Sequence, residues 1–137
     1  METFSWPVRV YYEDTDSGGV VYYANYLRFM ERARTEWLRS FGIEQDRVRE
    51  QDGVLFAVTH VEVAYLRPAR FNDCLAVSVT LVGQGRASMR FHQSVVRQDD
   101  AHTELCRARI KIACLDAQTL RPRPIPNYIN TEIASVC

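Results

Sequence analysis

Lysine is almost missing from this chain of 137 residues: of its 17 basic side chains only Lys111 is a lysine, the others being arginines. Nor is there an excess of either charge, because 17 acidic residues balance the basic ones, and that balance argues against a nucleic-acid or membrane-surface protein. The four cysteines, Cys74, Cys106, Cys114 and Cys137, form no C-x-x-C pair, and no histidine sits at metal-ligand spacing from any of them. They read as reduced thiols of a cytoplasmic protein, with Cys74, Cys106 and Cys114 on apolar strand positions. The start, Met1-Glu2-Thr3-Phe4-Ser5, lacks the basic and apolar regions of a signal peptide. No apolar run approaches the ~20 residues of a membrane span. Internal repeats and low-complexity segments are absent as well. What remains is one intracellular domain, residues 1–137, with 47% apolar residues, enough to bury a single core.

The patterning within that domain is clear. Val8, Val10 and Tyr12 alternate with Arg9 and Tyr11, which predicts a short first strand over Val8–Tyr12. From Tyr22 the period becomes helical: Tyr22, Tyr26, Phe29, Met30, Ala33, Trp37 and Phe41 form one stripe. Arg28, Glu31, Arg32, Glu36 and Arg39 take the other side, with Arg32 and Glu36 as an i,i+4 pair and Gly42 as the stop. A short polar helix or loop over Glu44–Asp52 leads to Gly53.

Four period-two runs follow, over Val54–Leu66, Asp73–Gly83, Arg86–Arg97 and Thr103–Leu115. In the first, the odd positions Leu55, Ala57, Val61, Val63 and Tyr65 make the apolar face. One buried face and short turns predict an antiparallel meander. After it, Arg121–Pro126 is extended, with one helical turn beyond Pro126. The expected fold is α+β: a five-stranded antiparallel sheet wrapped around one long central helix. A single helix on a single sheet leaves a sheet edge and a sheet face uncovered, which predicts at least a homodimer.

Between the first strand and the helix lies Asp14-Thr15-Asp16-Ser17-Gly18-Gly19. The first N–H groups of a helix lack intrahelical acceptors and carry the positive end of its dipole, so they can polarise a carbonyl oxygen. Gly18 and Gly19 keep side chains out of that approach. A nearby aspartate can act on the same carbonyl as general base or nucleophile, which suits acyl transfer without a Ser-His-Asp triad. Spacing alone leaves a second reading open, since Asp, Ser and Gly are ordinary cap and turn residues. A D-x-D pair can also ligate a cation, but the only third oxygen donor is Glu13, on the opposite strand face, and no metal is expected. His60, His92 and His102 are isolated and read as surface or turn residues.

The run Val8–Tyr26 closely resembles the hot-dog-fold acyl-CoA thioesterases of the 4-hydroxybenzoyl-CoA thioesterase superfamily. Glu31-Arg32-Ala33-Arg34-Thr35-Glu36 and Tyr65-Leu66-Arg67-Pro68-Ala69-Arg70 are similar to its bacterial branch associated with the Tol–Pal gene cluster, the YbgC type. The resemblance spans nearly the whole chain and implies hydrolysis of a short-chain or aromatic acyl-CoA to free acid and CoA. It places the catalytic carboxylate on Asp16 and the oxyanion donor on the backbone N–H of Tyr23, and leaves Asp14 as a structural acid. Many relatives carry His where this chain has Tyr23, a change that a backbone role survives.

Val20, Val21, Tyr22 and Tyr26 would line the acyl pocket, with Tyr26 open to a core role. Arg86, Arg67 and Arg70 would meet the CoA phosphates, against an equal expectation that each is a solvated strand-end arginine. No cofactor is implied beyond the CoA of the substrate. The implied partners are acyl-CoA, a second copy in a homodimer or homotetramer, and an acyl carrier protein landing on the arginines. The alternative function is a non-catalytic acyl-CoA or acyl-carrier-protein binding module.

Overall fold

The computed structural model describes residues 2–134, so Cys137 lies outside the described residues. Its elements are β1 (Phe4–Arg9), α1 (Asn25–Arg39), α2 (Gln45–Asp52), β2 (Val54–Tyr65), β3 (Cys74–Gln84), β4 (Ser88–Arg97), β5 (Asp100–Asp116) and α3 (Asn127–Ala134). The five strands form one sheet in the order β1-β3-β4-β5-β2, and each neighbouring pair is antiparallel.

The predicted four-stranded meander is therefore only three strands long. Residues Phe4–Arg9 pair with Val79–Cys74, so the outer edge of β3 is taken by β1. The remaining free edge belongs to β5, and β2 pairs there from Val54↔Asp116 to Tyr65↔Cys106. The expected alternation of β3, β4 and β5 holds: Leu75, Val77, Val79, Leu81, Met89, Phe91, Val95, Cys106, Ala108, Ile110, Ile112 and Cys114 are all buried.

Strand β2 departs from its expected face. Its register jumps between Val58↔Ile112 and His60↔Lys111, leaving Thr59 as an extra residue. A bulge of this kind reverses the parity of everything beyond it. Residues directly opposite one another share a face, so Phe56 and Val58 join Cys114 and Ile112 on the inner side. Beyond the bulge it is Val61, Val63 and Tyr65 that do so, opposite Ile110, Ala108 and Cys106. The single odd-numbered apolar face thus splits into an even-numbered and an odd-numbered half.

Helix α1 packs on β1, β3 and β4 through Tyr26, Phe29, Met30, Ala33 and Trp37, all buried as the stripe predicted. Phe29 and Met30, both fully buried, each contribute about 1.5–3 kcal/mol. The Arg32–Glu36 pair does not form. Glu36 instead pairs with Arg39, and Arg32 lies over the Phe29 ring with 6.0 Å to its centroid. The chain leaves α1 at Ser40 and turns through Gly42 at φ +78°, where a side chain would be strained. After Pro126 the helix α3 runs for eight residues, longer than the single turn expected, because Ile129 and Ile133 bury against the core.

The candidate active site

Strand β1 ends at Arg9, and Tyr12–Asp14 form one 3₁₀ turn, so the first strand is shorter at this end than its alternation predicted. The cause is Asp14. Its buried carboxylate accepts the Tyr11 N–H through Oδ2 at 2.8 Å, and the Asp14 N–H donates to Tyr11 O at 3.0 Å. These bonds bend the backbone and turn Tyr12 out to solvent. The Asp14 carbonyl also accepts the Tyr22 N–H at 2.9 Å and Asn25 Nδ2 at 2.9 Å, tying both ends of the loop together.

Asp16 sits at the exposed tip. Its N–H donates to Val20 O at 2.9 Å, its carbonyl accepts the Gly19 N–H at 3.1 Å, and its Oδ1 accepts the Gly18 N–H at 2.8 Å. Oδ2 has no partner among the described residues. The two glycines have different reasons to be there. A Cβ on Gly18 would stand 3.2 Å from Asp16 Oδ1 and crowd the carboxylate, whereas Gly19 holds φ +79°.

The chain then runs extended, with Val20 bridged to Arg70 and Val21 to Thr15, so α1 begins at Asn25 and not at Tyr22. Tyr22 is consequently exposed and off the apolar stripe. The helix N-cap is Ala24, whose side chain cannot cap, and no acceptor takes the Tyr23 N–H among the described residues. An anionic oxygen is the group that such a helix start accommodates.

The loop is held from outside by the segment after β2. Ala69 is fully buried; its carbonyl accepts the Val21 N–H at 2.9 Å, and its own N–H donates to the Tyr26 hydroxyl at 2.9 Å. Arg97 secures that segment through Pro68 O at 2.8 Å and Asp73 Oδ2 at 3.1 Å, and Asp73 Oδ2 also accepts the Arg70 N–H at 2.8 Å. Tyr26 is thus a core residue with a buried polar end, and burial pushes its phenol pKa up. Removing that hydroxyl in Tyr26→Phe leaves the buried Ala69 N–H without an acceptor, an expected loss of about 1–3 kcal/mol in urea unfolding. A wild-type midpoint would show that the bond holds nothing.

The fold therefore gathers Asp16, Val20, Val21, Tyr22, Tyr23 and Tyr26, with Arg67 and Arg70 exposed on the adjoining segment. Arg86 is not among them: it follows the far end of β3, a strand about 35 Å long, whose other end adjoins the loop. The residues of this region that the sequence did not assign to the site are Ala69 and Tyr65. The Tyr65 ring meets Tyr23 at 5.9 Å and Tyr26 at 5.7 Å, and Tyr22 stands 4.9 Å from Tyr23, making an aromatic wall beside the helix start. A hydrogen bond with the Tyr23 hydroxyl raises the Tyr22 pKa. Ala69 and Tyr65 both lie within the motif Tyr65–Arg70, and Tyr65 also falls on the apolar alternation of β2, signals that mark a family likeness and a strand face but no place in the site. Among the described residues no three His, Cys, Asp or Glu side chains are grouped to hold a metal, and no helix is long and apolar enough to cross a membrane.

A curved antiparallel sheet around one helix, with a carboxylate loop at the helix start, is the hot-dog thioesterase architecture. Residues 10–133 match the thioesterase-like superfamily, and the chain belongs to that family. It is 41% identical over 129 residues to the acyl-CoA thioester hydrolase YbgC of Escherichia coli O157:H7, covering 94% of each chain. It is 40% identical over 126 residues to the acyl-CoA thioesterase YbgC of Haemophilus influenzae, covering 92% of this chain and 90% of that one. A crystal structure of a probable thioesterase from Bartonella henselae superposes with a TM-score of 0.85 at 30% identity, covering 91% of this chain and all of the other.

Proposed function

We propose that this protein hydrolyses acyl-CoA thioesters to a free acid and CoA, with Asp16 as the catalytic carboxylate. The observation that carries this reading is the loop itself, which presents Asp16 at its tip beside the helix start, with Oδ2 unengaged and the helix uncapped by any side chain among the described residues. The thioester carbonyl oxygen accepts the Tyr23 N–H. Water adds to the carbonyl carbon while Asp16 takes its proton, the C–S bond breaks, and the CoA thiolate leaves and is protonated. Direct attack by Asp16 would give an acyl anhydride that water then opens, with the same products.

The acyl group packs against Val20, Val21, Tyr22 and the Tyr23–Tyr65 wall, which favours short or aromatic chains. Arg67 and Arg70 meet the CoA phosphates, and an acyl carrier protein would use the same pair. Arg86 is too far along β3 to serve the loop of its own chain and would act at the site of a second copy. CoA enters only as part of the substrate, and the reaction belongs to the cytoplasm, where acyl-CoA is made and consumed.

A thiol-release assay across an acyl-CoA panel tests the activity: short-chain and aryl thioesters should yield one thiol per acid formed. Binding of acyl-CoA without thiol release would make the protein a binding module. What supports a homo-oligomer is the inner face of β2, where Val58, Val61 and Tyr65 remain 47%, 37% and 46% exposed. Sedimentation at micromolar concentration should return a dimer or tetramer; a stable monomer would remove this part of the proposal.

A further inference from the structure

Arg34 lies on α1 well away from the loop, about 13 Å along the helix axis from Asn25. It is 7% exposed, and no ion pair among the described residues includes it. Among the described residues its one side-chain hydrogen bond runs from Nη1 to Gln93 Oε1 at 2.8 Å. Gln93 is itself fixed, since its Nε2 donates to Met30 O at 3.0 Å and Ser78 O at 3.2 Å, leaving only the oxygen to face Arg34. The neutral carboxamide supplies no negative charge. Desolvation pushes the guanidinium down to about 10, against a smaller upward pull from Glu31, which is exposed on the same helix. A buried cation without an acidic partner costs several kcal/mol, which makes it an unusual thing for a core to keep.

The remaining guanidinium donors are not sealed in. A guanidinium carries five N–H groups, and among the described residues no side-chain nitrogen or oxygen is both buried and unpartnered. Arg34 also lines a cavity of about 110 Å³ beside α1. Trp37, Leu38, Phe56, Val58, Met89, Phe91 and Ile112 form its apolar walls, and Glu31, Thr35 and Gln45 complete the lining. None of its lining residues belongs to the Asp14–Tyr26 segment.

We propose that this cavity is a binding site for a short-chain carboxylate, with the carboxylate on Arg34 and the apolar stem against the aromatic and aliphatic walls. Of the two charges in the lining, Arg34 is buried and Glu31 is exposed, so the less screened cation selects the anion, and a guanidinium fork matches a carboxylate in shape as well as in charge. The walls exclude an inorganic anion, which would bring no apolar part to cover them. The volume sets the size: an apolar cavity of about 150 Å³ accommodates benzene, so this one suits a stem of about three or four carbons. The site is separate from the reaction centre. Under the hydrolytic reading the acid released is itself a carboxylate, so the cavity would sense a short-chain product; the binding claim does not depend on turnover.

The test is the melting temperature of the intact protein titrated with butyrate, with butyramide as the neutral isostere and chloride holding ionic strength constant. Butyrate should raise the melting temperature saturably in the wild type and in Asp16→Asn, and butyramide should not. Arg34→Met should weaken butyrate binding by about tenfold or more, the loss expected for a charge-assisted bond. If Arg34→Met does not fold, Thr35→Leu reads the same question, because it adds bulk to the cavity from α1, away from the β2 face assigned to the oligomer, and leaves Arg34 on Gln93. An equal response to butyramide, no response in the wild type, or an unchanged response in either cavity variant would overturn the proposal. So would loss of the response in Asp16→Asn, which would move the ligand to the loop. Failure of the thiol-release assay alone would leave this site standing.

Discussion

Asp16→Asn should lower kcat by about 10²–10⁴ while leaving the fold and the melting temperature unchanged. The asparagine keeps an Oδ1 that can still accept the Gly18 N–H, which Asp16 Oδ1 now accepts at 2.8 Å, so the loop retains its turn. What disappears is the anionic oxygen on the open side, where a water proton or the thioester carbon would be met. Asp16→Ala removes both the charge and the turn, and its comparison with Asp16→Asn separates chemistry from loop order. Steady-state thiol release over a range of acyl-CoA concentrations reads the outcome, with the near-ultraviolet spectrum as the check on folding. Turnover close to wild type in the asparagine variant would sink the assignment. Asp14→Asn is the contrasting case, since Asp14 is buried and spends its Oδ2 on the Tyr11 N–H.

The second large effect is on stability. Phe91 is 2% exposed and meets Trp37 edge-to-face, with ring centroids 5.2 Å apart, so it joins the centre of β4 to α1. Phe91→Ala should cost about 3–5 kcal/mol, from lost burial and from the void left behind. Against a typical total of about 5–15 kcal/mol, that takes a fifth or more of the stability and lowers the melting temperature by roughly 10–17 °C. The comparison needs a fixed protein concentration if the chain is oligomeric. A shift of only a degree or two would mean that the neighbouring cavity collapses onto the site and recovers the contacts.

Much of this molecule is written in local order along the chain. The alternation in β3, β4 and β5 and the stripe of α1 were legible because inward positions repeat every second or every third to fourth residue, wherever the element is placed. The Asp-Gly loop was legible for a similar reason: glycines beside a carboxylate mark a backbone that must turn tightly and stay open. Gln93 carried a weaker signal, a polar residue on an otherwise apolar face of β4, and its partner Arg34 an equivalent one, a charge four residues after Met30 and three before Trp37 on the helical stripe.

Other features have no local signature. Whether β2 pairs with β3 or β5 depends on which edge β1 has already taken, and the reversal of its faces depends on a bulge that exists only in register with β5. Tyr22 leaves the helical stripe because Val20 and Val21 are drawn into extended pairing with the loop around them, at Arg70 and Thr15. The clamp of Ala69 on Val21 and Tyr26 joins residues more than forty positions apart. By itself the sequence determined the elements, the fold class and the carboxylate loop, because these follow from short-range periodicity and turn chemistry. Only the tertiary structure decided strand order, where the helix begins, what secures the loop and which charge is buried, because each of these is a competition for partners among segments far apart in the chain.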